Sequence, residues 1–207
     1  MRRFQRQSLG SAWQPVGDTI KVSVGISGLA WGIGLHGAIS AEGPSKREGD
    51  GCAPAGIFAI TELFGDASQE SALVNFARLP YRIATRDLKC IDDPASCHYN
   101  RMVSQGGLCE IDWQSHEEML RSDERYAIGA VVAHNSSRPV PGAGSCIFIH
   151  VWQREGVPTA GCSAGSFTDI AELCLWLDSQ SSPLLVQLPL SEYARFKDFW
   201  ALPSFAA

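Results

Sequence analysis

The second half of the chain alternates short apolar runs with Gly- and Pro-containing loops, and this pattern restricts the fold more than any other feature. Tyr126 to Val132 and Cys146 to Trp152 are β-branched, apolar runs of strand length. The stretch Ser136 to Ser145 between them contains two Pro and two Gly, which is typical of a loop. A third short strand is predicted from Pro183 to Leu188. This half therefore predicts a β-rich domain.

Two or three helices are predicted around these strands. Ser166-x-x-Asp169 is a capping box, and the apolar residues Ile170, Leu173, Cys174 and Leu177 follow it at the spacing of one helix face. A last amphipathic helix is predicted to start at Ser191 and to run through Phe196 and Trp200. Ser115-x-x-Glu118 is a second capping box, which predicts a short helix to about Arg121.

The first half has a weaker pattern. Alternating apolar residues around Ser27-Gly28 predict a hairpin over Asp18 to Leu35, with glycines that indicate bulges or close backbone approach. Ile57 to Ile60 is predicted as a buried strand, and 86–113 as a long loop that is functional or pinned by cross-links. The sequence thus predicts one mainly β domain with two or three helices over 18–207, preceded by an extension over 1–17.

Charge and hydropathy exclude several classes of function. The net charge is −5 and no block of basic residues occurs, which argues against nucleic acid as a partner. No apolar stretch reaches the roughly 18 residues expected of a transmembrane segment. Met1 to Gln7 does not lead into the apolar run of a secretion signal, so the protein is expected either to stay inside the cell or to have had its signal removed.

The chain has an odd number of cysteines: Cys52, Cys90, Cys97, Cys109, Cys146, Cys162 and Cys174. Complete pairing would therefore still leave one thiol free. No CxxC pair occurs, and His98 and His116 beside Cys97 and Glu117 have poor spacing for a metal site, so no metal and no cofactor are expected.

Cys162 and His150 are candidates for nucleophilic catalysis. His150 ends an apolar strand, and the loop that follows it can fold back to bring the Cys162 thiol near the imidazole. Small residues flank the cysteine, which leaves room for a substrate carbonyl and for backbone donors to an oxyanion. The helix starting near Ser166 is expected to lower the thiol pKa. The alternative is a structural Cys in a tight turn and a structural His at a strand end.

A family resemblance rests on these same residues. The stretch from Gly144 to Trp152, followed by Thr159-x-Gly161-Cys162, resembles the active-site signature of the YkuD-type L,D-transpeptidases. Two upstream stretches resemble one branch of that family: Gly49 to Phe58, with Gly49-Asp50-Gly51 and Pro54-Ala55-Gly56, and Asp92 to Asn100, with Asp92-Asp93-Pro94 and Tyr99-Asn100. The matches extend from about residue 28 to 165. Ala160 and Ala164 depart from the residues of many members, which leaves the group that orients His150 unnamed.

The resemblance implies a β-rich, sandwich-like catalytic fold and a peptidoglycan cross-linking enzyme of the periplasm or cell wall, whose signal peptide is not present in this chain. Cys162 would be the nucleophile and His150 the general base and acid, with Gly161, Thr159 and Ser163 in the oxyanion loop. Donor and acceptor stem peptides would be the partners, and carbapenem-type drugs would acylate the enzyme. The alternatives are an L,D-carboxypeptidase, with water as acceptor, and a non-catalytic cell-wall-binding module.

The resemblance also bears on the disulfides, and positions beside the proposed cleft or in polar loops suggest further contact residues. An oxidising compartment would leave Cys162 as the free thiol and six cysteines able to pair, with a bridge in the 90–109 stretch. Five residues are candidates for contact with the stem peptide: Trp152, Arg154, Tyr99, Asn100 and His134. The alternatives are a loop anchor for His134 and an exposed loop charge for Arg154.

Overall fold

The computed structural model describes residues 1–8, 10–38 and 43–204, and it has the predicted mainly β fold with three short α-helices. Residues 39–42 and 205–207 of the predicted domain lie outside the described part of the chain. The strands are β1 (Arg3–Gln5), β2 (Gln14–Val16), β3 (Leu29–Trp31), β4 (Ala53–Gly65), β5 (Tyr81–Ile83), β6 (Leu88–Cys90), β7 (Met102–Ser104), β8 (Glu117–Glu118), β9 (Ile128–Val132), β10 (Phe148–Val151), β11 (Ser163–Gly165) and β12 (Leu184–Gln187). The helices are α1 (Ala72–Phe76), α2 (Phe167–Trp176) and α3 (Leu190–Phe196).

The main sheet has seven strands, in the order β11-β10-β9-β4-β12, and both β3 and β5 also pair with β4. β4 is 13 residues long, and its register with β9 shifts between Ile60 and Leu63. A bulge of this kind bends a strand and increases its twist. The bend allows one strand to pair with β3, β5, β9 and β12 along its length, so the sheet curls around it.

Each face of the main sheet has its own apolar core, as the alternation of side chains along a strand requires. Ile147 and Ile149 pack with the buried face of α2. Phe148, one residue away from each, packs in the second core with Phe64, Tyr126 and Cys162. The residues proposed for catalysis therefore lie on the face opposite α2.

A three-stranded sheet of order β7-β6-β8 lies over this second core, and we call residues 88–118 the cover. The predicted long loop over 86–113 is therefore wrong in part, because it contains β6 and β7. The predicted cross-link is present with a different partner: Cys90 of the cover is bonded to Cys146, just before β10. Among the described cysteines, Cys52, Cys97, Cys109, Cys162 and Cys174 are free thiols.

The helix predicted over Ser115 to Arg121 does not form. Glu117 and Glu118 instead pair with β6 as the short strand β8, opposite Cys90 and Lys89. The Glu118 carboxylate accepts a hydrogen bond from the Lys89 ammonium at 2.5 Å. The predicted capping box would have placed Glu118 in the first turn of a helix, but its charge instead stabilises the pairing of β8 with β6. Tertiary pairing thus overrides the local capping signal here.

The predicted hairpin over Asp18 to Leu35 is also wrong. Its first arm forms single bridges at Ser23 with Ala164 and at Gly25 with Thr159, and β3 pairs parallel with β4. The predicted close approach at a glycine is confirmed, since a Cβ on Gly25 would lie 2.4 Å from the carbonyl oxygen of Gly51. The first arm therefore supports the loop before Cys162.

The capping box at Ser166 is confirmed, since the Ser166 hydroxyl accepts a hydrogen bond from the Asp169 N–H at the start of α2. α3 begins at Leu190, one residue before the predicted start. None of the helices in the described ranges is long and apolar enough to cross a membrane.

Candidate functional site

His150 projects from β10 toward the cover side of the sheet, where its ring lies 5.2 Å from the ring of Tyr126. Its Nδ1 atom lies 2.8 Å from the carbonyl oxygen of Val151. A carbonyl oxygen only accepts hydrogen bonds, so Nδ1 carries the proton, and in the neutral ring Nε2 is the nitrogen with the lone pair. The Val151 carbonyl is thus the orienting group that the sequence left unnamed. Burial lowers the pKa of His150 to about 4, so the imidazole is neutral at pH 7.

The Cys162 thiol is held against the backbone of the segment that leads into β10. Its sulfur accepts a hydrogen bond from the Phe148 N–H at 3.3 Å and donates one to the Cys146 carbonyl at 3.5 Å. Only 8% of the residue is exposed. Burial, with a smaller contribution from the Glu117 carboxylate, raises the pKa of the thiol. The predicted lowering of this pKa by the helix is therefore wrong, and Cys162 is a protonated thiol at neutral pH.

The sheet brings Cys162 and His150 to the same face. β10 and β11 are parallel, with His150 opposite Ala164, and the thiol contacts the N–H of Phe148, two residues before His150. Both side chains adjoin Tyr126, which packs in the same buried core as Cys162. Within the described residues, however, both hydrogen bonds of the thiol go to backbone groups and neither goes to His150.

Glu117 and Tyr126 form a buried polar pair beside this site, which the sequence reasoning missed. The Tyr126 hydroxyl donates a hydrogen bond to the Glu117 carboxylate. Burial raises the pKa of Glu117. Burial and the negative charge of Glu117 together raise the pKa of Tyr126. No local signal in the sequence connects Glu117 with Tyr126.

The loop before Cys162 is shaped by Thr159. Its hydroxyl donates a hydrogen bond to the Cys162 carbonyl at 2.6 Å and accepts one from the Gly161 N–H at 3.2 Å. The Gly161 N–H is therefore engaged within the loop in this arrangement. The Ser163 hydroxyl donates to the side-chain oxygen of Gln187 at 2.7 Å. The oxyanion role of Gly161, Thr159 and Ser163 stays a prediction, and the contacts observed for all three are structural.

Tyr99, Asn100 and His134 are buried or half-buried anchors. The Tyr99 hydroxyl donates to Glu48, which also accepts from the Ser145 hydroxyl. Burial lowers the pKa of His134 to about 4, and its ring bridges two backbone groups, the Ile33 N–H at 3.2 Å and the Ala143 carbonyl at 2.9 Å.

Asn100 connects three backbone groups around the start of β10. Its amide donates to the carbonyls of His134 and Asn135, and its side-chain oxygen accepts from the Cys146 N–H at 2.9 Å. Asn100 and His134 both line a cavity of about 290 Å³, beside the Cys90–Cys146 disulfide. These two predicted residues thus lie together, although the cavity lining does not include Cys162.

Trp152 and Arg154 follow β10, where the chain turns away from the sheet. Trp152 is half-buried, and its backbone N–H donates a hydrogen bond to the Gly165 carbonyl. Arg154 is exposed. Their contact with a substrate stays a prediction. A second cavity, of about 330 Å³, is lined by Trp31, His36 and Lys46 among others, and again its lining does not include Cys162.

The cover packs in the same core as the thiol. Leu88 and Cys90 of the cover, with Met119 directly after it, belong to the core that contains Cys162. Since Cys162 is buried, we expect the cover to limit access to its sulfur. Among the described residues, one group of side chains could hold a metal ion, and it consists of Cys97, His98 and Asp112 in the cover.

Comparisons of this chain with protein-family models, with curated proteins and with solved structures found no match.

Proposed function

We propose that the protein is a cysteine-dependent acyltransferase of the L,D-transpeptidase type, acting on peptidoglycan stem peptides in the periplasm or cell wall. The observation that supports it best is the placement of Cys162, directly before β11, and His150, on the adjacent parallel strand β10, on the same face of the sheet, with His150 in the tautomer that a general base requires. The resemblance of the residues around them to the YkuD signature supplies the substrate class.

In the first half-reaction, His150 Nε2 takes the thiol proton as Cys162 Sγ attacks the carbonyl carbon between the L-centre and the terminal D-residue. The C–N bond then breaks, and Nε2–H returns its proton to the leaving amine. The free D-amino acid departs and a thioester remains on Cys162. A side-chain amine of a second stem attacks this thioester and loses a proton to Nε2; the C–S bond breaks as the cross-link forms, and Nε2–H returns the proton to the sulfur, which regenerates the Cys162 thiol.

The burial of the thiol favours a second candidate, a cell-wall-binding module without catalysis. Cys162 is protonated, covered and not hydrogen-bonded to His150 in this arrangement. Such a module would bind isolated wall material and release no D-amino acid from it. Hydrolysis by water instead of an amine would make the protein a carboxypeptidase on the same site.

The deciding experiment incubates the chain with a purified tetrapeptide stem, with and without an amine acceptor, and follows products by mass spectrometry. We expect release of the terminal D-residue by the wild type and by the control Cys174→Ala, which removes another buried thiol, one that lies on the face opposite Cys162. We expect no release by Cys162→Ala. Cross-linked product with the acceptor identifies a transpeptidase, and release alone identifies a carboxypeptidase.

Incubation with a carbapenem gives an independent readout. We expect a mass increase of one drug molecule on the peptide that contains Cys162, and none in Cys162→Ala. Release of the D-residue by Cys162→Ala at the wild-type rate would refute the assignment. Absence of both release and adduct in the wild type, together with binding to wall material, would establish the non-catalytic candidate.

A further inference from the structure

Three chemically different ligand atoms converge on the cover. The Cys97 sulfur, a ring nitrogen of His98 and a carboxylate oxygen of Asp112 all lie within 4.8 Å of one another. Cys97 and Asp112 are exposed and His98 is half-buried, so an ion can reach them from solvent. These groups are separate from Cys162, and the proposed reaction does not use them.

The carboxylate of Asp112 organises this cluster. One of its oxygens accepts the Ser96 hydroxyl at 2.6 Å, and the other accepts the Cys97 N–H at 2.8 Å. The Ser96 hydroxyl oxygen in turn accepts a hydrogen bond from the backbone N–H of His98 at 3.0 Å, which leaves the His98 ring out of this bond. The Cys97 thiol is also hydrogen-bonded to this carboxylate, and loss of the thiol proton on metal binding would free that lone pair for the ion. Hydrogen bonds of this kind to a ligating carboxylate are what orients it in metal sites.

A second carboxylate joins the same two stretches of chain. The Asp93 oxygens accept the Ala95 N–H at 2.9 Å and the Gln114 N–H at 2.7 Å. The His98 ring packs edge-on against Trp113, with ring centroids 5.8 Å apart. Backbone and ring contacts therefore fix the positions from which the three ligands project, so little order remains to be imposed when an ion binds.

We propose that Cys97, His98 and Asp112 form a binding site for a divalent transition metal of the zinc class. A thiolate, an imidazole and a carboxylate suit zinc, whereas magnesium and calcium select oxygen ligands. Zinc bond lengths of about 2.0–2.3 Å place tetrahedral ligand atoms about 3.5 Å apart, so rotation about side-chain bonds brings the three within reach. Metal–sulfur bond formation releases the Cys97 thiol proton to solvent, and water fills the fourth position.

The spacing of Cys97 and His98 with His116 and Glu117 predicts no metal, whereas in the fold the third ligand is Asp112. Cys97 and His98 are adjacent, and Asp112 lies 15 residues after Cys97, so the chain lacks the closely spaced ligand pairs of common zinc motifs. A bound ion would join the two stretches 93–98 and 112–114 within the cover. It would therefore stabilise the cover whether or not the chain is a transpeptidase.

The test titrates zinc into the full, tag-free chain by calorimetry, after a non-thiol reductant and chelator have been removed. We expect one ion per chain, and binding at least about tenfold weaker in Cys97→Ser. Cys97→Ser keeps the backbone N–H that donates to Asp112. The matched control is Cys109→Ser, another exposed free thiol of the cover, which should bind as the wild type does.

Cobalt(II) provides a spectroscopic readout. We expect the wild type and Cys109→Ser to show thiolate-to-metal charge-transfer absorption, and Cys97→Ser to lack it. Absence of stoichiometric binding in the wild type would overturn the proposal, as would equal binding by Cys97→Ser. An equal loss in Cys109→Ser would overturn the assignment of ligands. A Cys97–Cys109 disulfide that persists in the reductant-treated chain would also overturn it, because the thiol would not be available.

Discussion

Removing the Cys90–Cys146 bridge tests the relation between the cover and the thiol beneath it. The bridge closes a loop with a sequence separation of 56 residues. The chain-entropy relation for a loop of this length gives a stabilisation of about 4 kcal/mol at 25 °C. We therefore expect the double variant Cys90→Ala/Cys146→Ala to lose about 4 kcal/mol of unfolding free energy. Both cysteines are buried, so lost packing adds to this loss.

Equilibrium urea unfolding measures the stability change, and alkylation of Cys162 measures access to the site. Cys97→Ser and Cys109→Ser in both parent and variant remove the exposed thiols that would otherwise react first. If the cover opens as a unit and the loss of about 4 kcal/mol acts on that opening, the fraction of molecules with an open cover rises by about three decades in the variant relative to the parent. Peptide mass spectrometry should then show Cys162 alkylated faster in the variant, by up to that factor.

Two results would refute this reasoning. A stability loss below about 1 kcal/mol would mean that the bridge does not constrain the unfolded chain as the loop length requires. An unchanged alkylation rate, with the stability loss present, would mean that the cover does not control access to Cys162. The thiol of Cys174, buried in the opposite core, reports global unfolding, so its alkylation should accelerate with the loss of unfolding free energy while its absolute rate stays below that of Cys162.

The remaining predictions concern buried polar groups and backbone contacts. Asn100→Ala loses three hydrogen bonds to backbone groups at a residue with φ of 61°, and should cost about 3 kcal/mol in urea unfolding; exposed Asn75→Ala should cost almost nothing. In the folded chain the pKa values of His134 and His150 are lowered to about 4 from 6.5, so between these values the unfolded chain binds more protons than the folded one. The unfolding free energy therefore decreases as the pH is lowered through this window. Each imidazole should account for about 2 kcal/mol lost between pH 7 and pH 5, and an unchanged profile in His134→Gln would contradict this. Gly25→Ala places a Cβ 2.4 Å from a backbone oxygen and should lower stability by about 1–3 kcal/mol, measured as a lower urea midpoint.

The elements that could be predicted from sequence are those whose signal is local. β9, β10 and α2 each have a continuous apolar pattern, and the Ser166 cap marks where α2 begins. Their burial follows directly from that pattern, because each places its apolar residues on one face or along a whole strand. The mainly β fold was predictable for the same reason.

The failures arise where pairing partners are distant in the chain. The capping box at Ser115 is real as a local pattern, but β6 recruits Glu117 and Glu118 into a sheet. The alternating residues after Asp18 fit a hairpin, yet this segment pairs with residues on both sides of Cys162, at Thr159 and Ala164. Local signals cannot choose between a near partner and a far one when both satisfy the same backbone groups.

The catalytic roles of the candidate residues stay a prediction, and the electrostatics around them differ from what the sequence indicated. The resemblance singled out Cys162 and His150, and the parallel pairing of β10 with β11 brings them to one face. The buried Glu117 beside them depends on the fold of the cover, which no residue near position 162 encodes. The same dependence explains why the thiol pKa was predicted in the wrong direction.

Burial shifts the pKa values of the two proposed catalytic groups in opposite directions, and as a result both groups are neutral. It raises the pKa of Cys162 and lowers that of His150 to about 4, so at pH 7 both groups are uncharged, and the thiol is hydrogen-bonded to backbone groups and not to the ring. Charge separation between them becomes favourable only when the cover opens and polar groups or water approach the sulfur. The rate of alkylation at Cys162 should therefore follow the opening of the cover more closely than the ordinary titration of a thiol. A substrate that opens the cover as it binds would activate its own nucleophile.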